Sequence, residues 1–554
     1  MKRAIYPGII VLVAILFIMP HFISQNMVLG ADALFHYNRF YETAMQIKHH
    51  NFSPFISLYG FQQSARVVNA VYGPVFAYFQ GLLVLAAGTW FRYQILSNFI
   101  LYLVSGFSMY GLLRYGKVKR PLATLTAIIF MTTYTVLYWT INQGFTSWGT
   151  SLMPLCLLPI VDMSMRHRFP VVKVALSVAV LTQIHMLSAI MLGWIYIPFF
   201  ISYLIKSDIK KTLWQLVKAI GLYVLLTVNV WASLLMMNLG NHLQFPFVNY
   251  HMSDKAINLK GSYWLDYPQI LVPLVIVMLL IFIVTHKKIQ GFTKQLLGTS
   301  LFFLLLSTSL IPWTFLVQHH VPFVSLIQFP FRFFEPFTML FLFFAASMLE
   351  QLMFKRWWHG VMAVICLLSV LGSISTINLR LARWDNISLN KPHTYRMKNV
   401  EETKKDFYSK DLQLALEDMQ KSSPDYLPTY DSDQKNSYQL YGEQIILNDK
   451  NFEKTAKNGE LTVTWESKTA GMARLPVIVY RRTQLSQNGQ PLKYTDLSEI
   501  GSPTVTEKVG KNQLTVKYLV PWYIYLSFAV SVVSWFGCLI FSLREVRRFQ
   551  KFRK

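Results

Sequence analysis

Residues 5–43, IYPGIIVLVAILFIMPHFISQNMVLGADALFHYNRFYET, join an apolar segment to a short polar stretch and decide what kind of fold the chain adopts. The run from Ile5 to Phe22 is long enough to cross a bilayer as a helix. No small-residue cleavage pattern follows it, so we expect an uncleaved first span. From Gly30 onward, apolar and polar side chains each recur at steps of three and four. This spacing predicts a short amphipathic helix at the membrane surface.

Apolar runs of similar length recur along the chain, which has 554 residues, of which 53% are hydrophobic and only 14% charged. We therefore predict a mainly α-helical, polytopic membrane bundle with about 12–14 transmembrane segments. The candidate spans are residues 5–23, 71–90, 92–113, 121–139, 148–165, 171–188, 189–205, 213–237, 268–285, 294–316, 334–353, 357–378 and 520–543.

The net charge of +25 does not indicate a nucleic-acid partner. Most Lys and Arg residues lie in short loops beside apolar runs, where the positive-inside rule and contacts with membrane lipids account for them. By the same rule both basic ends of the chain, residues 1–3 and 544–554, should be cytoplasmic. Phosphate-binding glycine loops are absent, so an ATP-driven pump is not supported.

We divide the chain into three parts. Residues 1–378 form a multi-span membrane module with an external amphipathic loop at 24–70, and residues 520–554 form the last span and a cytoplasmic tail. Residues 379–519 are polar and should form a small extracytoplasmic domain. Within it we expect a helix over 398–420, strands around 461–465, 476–480 and 514–518, and turns at 488–489 and 510–512.

Asp32, His36 and Arg39 recur on one face of the predicted surface helix. At the outer mouth of a membrane cavity, Asp32 could act as a general base or bind a divalent cation. His36 could share that catalytic role, and Arg39 could pair with a phosphate. The alternative is an interfacial helix with a solvated polar face, which the same spacing also describes.

A second polar group lies at the outer edge of a late span, in Gln328-Phe329-Pro330-Phe331-Arg332-Phe333-Phe334-Glu335. Charged residues there cost free energy unless they are paired or face a cavity. Arg332 could neutralise a lipid-linked phosphate, with Gln328 and Glu335 lining the groove. The alternatives are an Arg332–Glu335 ion pair or an anchor among aromatic side chains.

Two further residues are candidates for a substrate groove. Gln143 lies in a polar and aromatic turn that could line a sugar site, or that could be a simple loop. His185 lies between two apolar runs and could cap a broken helix that faces a cavity. A buried histidine with satisfied hydrogen bonds is the other interpretation.

Several short motifs resemble those of GT-C class membrane glycosyltransferases. Gly30-Ala31-Asp32 followed by His36 and Arg39 resembles their first-external-loop motif, and Val71-Tyr72-Gly73-Pro74 resembles their Tyr-x-Pro element. Residues 328–333 and Asp425-Tyr426-Leu427-Pro428 are similar to a bacterial branch that contains YfhO-like proteins and 6-pyruvoyl-tetrahydropterin synthase-related membrane proteins. Many relatives carry an acid in the loop after the fourth hydrophobic segment, whereas residues 143–148 here have none.

The resemblance implies an enzyme of the bacterial cytoplasmic membrane. It would move a sugar from a polyprenyl-phosphate-linked donor to a cell-wall polymer or surface-glycan acceptor outside the cell. Asp32 would be the catalytic acid residue, acting as a base or through a divalent cation such as Mg or Mn. Arg39 and Arg332 would hold the donor phosphate.

Two other functions are compatible with the sequence. A lipid or polysaccharide transporter or flippase would need ionisable residues near the bilayer centre and repeated halves. Charges within the predicted spans are sparse, and the sequence shows no two-fold repeat. A non-catalytic scaffold would bind wall polymer through residues 379–519 and would tolerate loss of Asp32 and Arg332.

Overall fold

A computed structural model of the chain describes residues 4–244, 247–258, 265, 267–352, 357–383, 392–430, 436–492 and 496–551. The basic ends that we expect in the cytoplasm include residues 1–3 and 552–554, which lie outside the described residues. The fold is mainly helical with a small sheet region near the C-terminus, which confirms the prediction of a helical membrane bundle with an added β-rich region.

The helices are α1 (Ile5–Ser24), α2 (Ala33–Lys48), α3 (Pro74–Ala87), α4 (Trp90–Tyr115), α5 (Arg120–Met131), α6 (Tyr134–Asn142), α7 (Thr146–Cys156), α8 (Leu158–Met165), α9 (Val171–Ile184), α10 (Met186–Leu204), α11 (Ile209–Gly240), α12 (Leu271–Thr285), α13 (Gly291–Ser307), α14 (Trp313–Gln318), α15 (Val324–Ile327), α16 (Phe334–Gln351), α17 (Trp357–Ala382), α18 (Val400–Phe407), α19 (Leu412–Asp418), α20 (Ser437–Tyr441) and α21 (Trp522–Lys551).

Within the described residues, nine helical stretches are long and apolar enough to cross a membrane. They are Ile5–Ser24, Trp90–Tyr115, Thr146–Met165, Met186–Leu204, Ile209–Gly240, Leu271–Lys288, Pro330–Gln351, Gly360–Ala382 and Trp522–Ser542. The pair α5 and α6, bent by 40°, adds a tenth if it forms one span. The chain is a multi-pass membrane protein, as its hydropathy predicts.

The number of spans is lower than the predicted 12–14 because three predicted segments fold into short helices. α3 and α9 each have 14 residues and α13 has 17. At the helical rise, α3 and α9 are roughly 21 Å long, whereas the hydrocarbon core is about 30 Å thick. The predicted spans at 71–90, 171–188 and 294–316 therefore include loop residues that hydropathy alone does not separate from helix.

The strands are β1 (Thr394–Met397), β2 (Met419–Lys421), β3 (Glu453–Lys457), β4 (Glu460–Ser467), β5 (Gly471–Arg474), β6 (Thr483–Gln487), β7 (Gln490–Pro491), β8 (Thr504–Glu507) and β9 (Gly510–Tyr518). The largest sheet is antiparallel, in the order β3-β4-β9-β6-β7, and two further pairs join β1 to β2 and β5 to β8. Along β4 and β9 buried residues alternate with half-buried or exposed ones, as expected for a sheet with one buried face.

Most secondary-structure predictions for residues 379–519 are confirmed, but one strand and one turn are wrong. The turn predicted at 510–512 lies instead within β9, which begins at Gly510. The predicted helix over 398–420 is present as α18 and α19, the two runs at 461–465 and 514–518 lie in β4 and β9, and Asn488-Gly489 turns with positive φ between β6 and β7. Residues 476–480 are not a strand of any sheet. Val477 to Tyr480 are fully buried instead, and Ile478 donates its N–H to Ser64 O at 2.7 Å. β-branched residues are favoured in any buried extended segment. The sequence pattern therefore could not distinguish a strand of a sheet from a buried extended segment outside a sheet.

Internal contacts divide the chain into two compact units. The helical unit comprises Met1–Val28, Ser97–Val224 and Val248–Trp384, and the mixed unit comprises Leu29–Leu96, Leu225–Phe247 and Asp385–Lys554. The mixed unit has a core that includes Val463 of β4 and Val516 of β9 together with Phe55 and Leu58 from the predicted external loop. The stretch that carries Asp32 is thus folded together with the C-terminal sheet.

Candidate functional site

Asp32 lies at the N-cap position of α2, where the spacing of the sequence places the helix start. Ala33 donates its N–H to Gly30 O at 3.2 Å, and His36 donates its N–H to Asp32 O at 3.1 Å. The Asp32 side chain is exposed and does not cap the helix. The backbone of the helix start therefore places the Asp32 carboxylate at the electropositive end of α2, where it remains accessible to solvent.

Lys421 and Asp425 surround this helix start within the mixed unit. Lys421, at the end of β2, is half-buried and donates from Nζ to Ala31 O at 2.9 Å. Burial lowers the pKa of Lys421, and the Asp32 charge opposes this shift. Burial raises the pKa of Asp425. The positive charge of Arg66 opposes this rise in pKa, and repulsion from the Asp32 charge adds to it. Two carboxylates and a lysine therefore lie close together at the start of α2, where the first loop and the C-terminal region of the mixed unit meet.

Arg66 fixes the segment that carries Asp425. Its Nη1 donates to Ser423 O at 2.6 Å and its Nη2 to Asp425 O at 2.5 Å. The Arg66 side chain is fully buried, and its guanidinium carbon lies 5.1 Å from the centre of the Tyr441 ring. The Asp425 backbone is therefore anchored to the loop that follows α2.

The polar face of α2 below Asp32 is buried, and this is the main difference from the solvated face that the alternative interpretation requires. His36 is 3% exposed and Arg39 is fully buried. Arg39 Nε donates to Asn69 Oδ1 at 3.1 Å, Nη2 donates to Tyr72 O at 2.5 Å, and Nη1 lies 3.4 Å from His36 Nδ1. Its guanidinium also stacks over the Tyr72 ring at 4.2 Å.

The contacts of Arg39 do not test its predicted contact with a donor phosphate, but they show which groups this side chain already holds. Its charged group already orders the loop segment 69–72, and burial lowers its pKa to about 10. Tyr426, in the motif that resembles the bacterial branch, places its ring 6.3 Å from Tyr72. Arg39 therefore positions the Tyr72 side of the site in this structure.

Glu42 is a buried acid that the sequence analysis did not single out, and its role is structural. Its two oxygens accept hydrogen bonds from the backbone N–H groups of Leu58, Tyr59 and Gly60 at 2.9, 2.7 and 2.7 Å. Gln46 Nε2 donates a fourth, at 2.7 Å. Glu42 thus folds the loop onto α2. The four-residue step from Asn38 to Glu42 and Gln46 was a signal for this second polar face.

The remaining candidates lie in the helical unit. Arg332 donates from Nη1 to Gln328 Oε1 at 2.9 Å and to Ile327 O at 3.2 Å, and its guanidinium stacks over Phe329 at 4.9 Å. Among the described residues it forms no ion pair with Glu335. The aromatic-anchor interpretation of Arg332 therefore fits the contacts better than the ion-pair interpretation.

Glu335, Gln143 and His185 lie around the start of α7. Glu335 is fully buried and accepts a hydrogen bond from Thr150 Oγ1 at 2.6 Å. Gln143 ends α6 just before α7 with a φ of 52°, and its Nε2 donates to Trp139 O at 3.3 Å. His185 separates α9 from α10, as predicted, and its Nδ1 lies 2.9 Å from Ser188 Oγ.

The close packing of α7 against α10 explains the Gly at position 149. A Cβ there would lie 2.3 Å from Ser188 Oγ, so only glycine allows this approach. Thr150, the next residue on α7, contacts Glu335. Three of the four predicted groove residues, Gln143, His185 and Glu335, are thus gathered near one helix end.

The structure therefore brings the site residues together as two groups. Asp32, His36 and Arg39 are joined by Lys421 and Asp425 in the mixed unit, and Gln143, His185, Gln328, Arg332 and Glu335 belong to the helical unit. That Asp32, Arg39 and Arg332 meet in one groove stays a prediction.

The donor atoms near Asp32 do not form a recognisable metal site. Across the described ranges, no three His, Cys, Asp or Glu side chains are grouped so that they could hold a metal ion. The second acid near Asp32 is accompanied by Lys421, whose positive charge would oppose a cation. The residues present thus fit a proton-transfer role for Asp32 better than a metal-binding role.

Comparison with models of known families, with characterised proteins and with solved structures gives no match to this chain. The resemblance to GT-C glycosyltransferases therefore rests on the short motifs alone.

Proposed function

We propose that the chain is a GT-C-type glycosyltransferase of the bacterial cytoplasmic membrane. It would transfer a sugar from a polyprenyl-phosphate-linked donor to a cell-wall or surface-glycan acceptor on the outer side. The observation that carries this proposal is the placement of Asp32. Its exposed carboxylate lies at the start of α2, shortly after α1 ends, beside Lys421 and Asp425.

Asp32 is suited to act as a general base. In the proposed reaction it takes the proton from an acceptor hydroxyl while the hydroxyl oxygen bonds to the anomeric carbon of the sugar. The bond from that carbon to the phosphate oxygen breaks, and polyprenyl phosphate leaves with the electron pair. The lysine beside Asp32 favours the ionised carboxylate, which is the form that accepts the proton.

Asp425 and Lys421 would complete the acceptor side of this site. Because burial raises its pKa, Asp425 has a greater tendency than an ordinary aspartate to hold a proton and can donate a hydrogen bond to a sugar hydroxyl. Lys421 would donate hydrogen bonds from its ammonium group to the same acceptor molecule. Asp425 would thus supply the second acid that residues 143–148 lack.

The phosphate of the donor requires a cation at the membrane interface. Arg332 remains the residue we assign to this contact, because its described protein hydrogen bonds involve only Nη1. The planar guanidinium can pair with phosphate through its remaining N–H groups. Arg39 is assigned a positioning role, because its donors already hold Asn69 and Tyr72.

The test replaces Asp32 with Asn in cells from which the native gene has been removed. Loss of a general base reduces rates by about 10²–10⁴-fold, so we expect the dependent sugar to disappear from the surface glycan while the protein still accumulates in the membrane. Glycan composition and the amount of protein in the membrane are measured together.

Asp411→Asn is the matched control, because Asp411 is an exposed N-cap acid on α19 that caps Gln413 N at 3.1 Å. We expect it to support wild-type glycan. Wild-type glycan from Asp32→Asn, or no glycan difference between cells with and without the gene, would contradict the proposal.

A further inference from the structure

A compact group of charges surrounds Asp162 in the helical unit. It includes Tyr115 at the end of α4 and Lys173 at the start of α9, the end of α9 that lies away from His185. Asp162 lies in α8 and its side chain is fully buried. It forms ion pairs with Arg166 at 2.7 Å, with Arg168 at 3.2 Å and with Lys173 at 2.8 Å. One carboxylate thus holds three cations, and two positive charges remain uncompensated within the group.

Tyr115 completes the group and restrains the cations. Its hydroxyl donates to Asp162 Oδ1 at 2.7 Å and accepts from Lys173 Nζ at 2.6 Å. The Arg166 guanidinium lies 3.6 Å from the centre of the Tyr115 ring and donates to Tyr115 O at 3.3 Å. The backbone N–H groups of Arg166 and Arg168 both bond to Asp162 O, which folds the turn over the acid.

The cations are held by a buried acid and yet remain accessible. The side chains of Arg166, Arg168 and Lys173 are 31%, 54% and 39% exposed. Fixing three like charges so close together costs free energy through mutual repulsion, and an anion bound to them would lower that cost. Asp162 and Tyr115 already order these side chains. Binding an anion would therefore cost little further side-chain conformational entropy.

The location indicates which anion is available. Tyr115 ends the span Trp90–Tyr115, Arg166 directly follows the span Thr146–Met165, and Lys173 lies in the first turn of α9. Ends of membrane spans lie at the depth of lipid headgroups, and basic pockets between spanning helices are typical sites for anionic lipids.

We propose that Arg166, Arg168 and Lys173 form a binding site for the phosphate of an anionic phospholipid, with Asp162 as the positioning residue. The guanidinium groups match the oxygens of a phosphodiester, and the residual charge of the group exceeds the single charge of that ligand. The site is independent of the proposed sugar transfer, because it involves none of the residues assigned to that reaction.

The experiment uses the full-length protein in a neutral detergent and measures binding by native mass spectrometry and thermal shift. The probes are short-chain phosphatidylglycerol, phosphatidylcholine with the same acyl chains, and inorganic phosphate. We expect phosphatidylglycerol to bind and stabilise the protein more strongly than phosphatidylcholine does. Inorganic phosphate should compete only weakly, because it lacks the acyl chains that enter the apolar surface.

Arg168→Ala should weaken phosphatidylglycerol binding about fivefold, the loss expected for one basic residue at an anionic headgroup. Lys210→Ala is the matched control, because Lys210 is an exposed lysine at the start of α11 in another basic loop. It should bind as the wild type does. Arg168→Lys keeps the charge and should retain most of the binding.

Three results would overturn the proposal. They are equal binding of the two lipids by the wild-type protein, inorganic phosphate binding as strongly as phosphatidylglycerol, and equal losses in Arg168→Ala and Lys210→Ala. The first two comparisons need no variant, so they decide the question even if Arg168→Ala does not fold.

Discussion

Asp32 and Glu42 are two carboxylates on the same helix, and they occupy opposite environments. Asp32 is exposed at the N-cap of α2, beside a lysine from the C-terminal region. Glu42 is buried in the middle of α2 and accepts four hydrogen bonds, three of them from backbone N–H groups. A carboxylate with all its acceptor sites filled by the fold stabilises structure, whereas an accessible one with charged neighbours can exchange protons with a ligand.

The sharpest test of this contrast is Glu42→Gln, for which we expect the largest loss of stability. The glutamine would point an NH₂ group at backbone N–H donors, so at least two buried donors would lose their acceptor. At about 1–3 kcal/mol for each buried group, the free energy of unfolding should fall by about 3 kcal/mol. Thermal unfolding of the purified protein in detergent measures the change, with Asp32→Asn expected to differ little from wild type. A larger loss of stability in Asp32→Asn than in Glu42→Gln would reverse our assignment of roles.

Arg39→Lys tests whether the buried guanidinium positions the loop or binds the donor. Lysine cannot reproduce the bonds to both Asn69 and Tyr72, so we expect about 2 kcal/mol of destabilisation. If Arg39 only positions the loop, membranes with the variant should show an unchanged KM for the lipid donor once folded protein is counted. A raised KM at unchanged thermal stability would instead support the phosphate contact that the resemblance implies.

The smallest effect concerns the pH dependence of stability near Asp32. The folded protein raises the pKa of Asp425 above its unfolded value, so between those two values the folded state binds more protons than the unfolded state. Stability should therefore fall as the pH rises from about 4 through the folded pKa. Asp425→Asn cannot titrate and should show a smaller fall in thermal stability over that range. An unchanged pH profile in Asp425→Asn would show that this carboxyl lies in a more solvated environment.

Local patterns in the sequence predict much of the mixed unit, and tertiary burial explains the differences. The steps of three and four after Gly30 identify α2, and the alternation at 461–465 and 514–518 identifies β4 and β9. They do not reveal that His36 and Arg39 are buried, because that depends on distant residues such as Asn69 and Tyr72 folding over the helix. Periodicity shows which side chains share a face and says nothing about what covers it.

Lys421 and Asp425 illustrate a second limit. Lys421 contacts Ala31 across 390 residues of chain, and no local pattern connects such distant positions. Asp425 stood within a motif that resembles the bacterial branch, but its proximity to Asp32 required coordinates. The groove residues were partly predictable, because His185 and Gln143 sit at breaks between helices, where polar residues interrupt apolar runs.

The pairing of Ala31 with Lys421 also sets an order of events during biosynthesis. At translation rates of about 5–20 residues per second, a ribosome needs roughly 20–80 s to reach Lys421 after it has made Ala31. During that interval the earlier helices can enter the membrane, while the surroundings of Asp32 are still incomplete. A chain released before Lys421 would therefore carry its first membrane helices but lack the residues that complete the surroundings of Asp32.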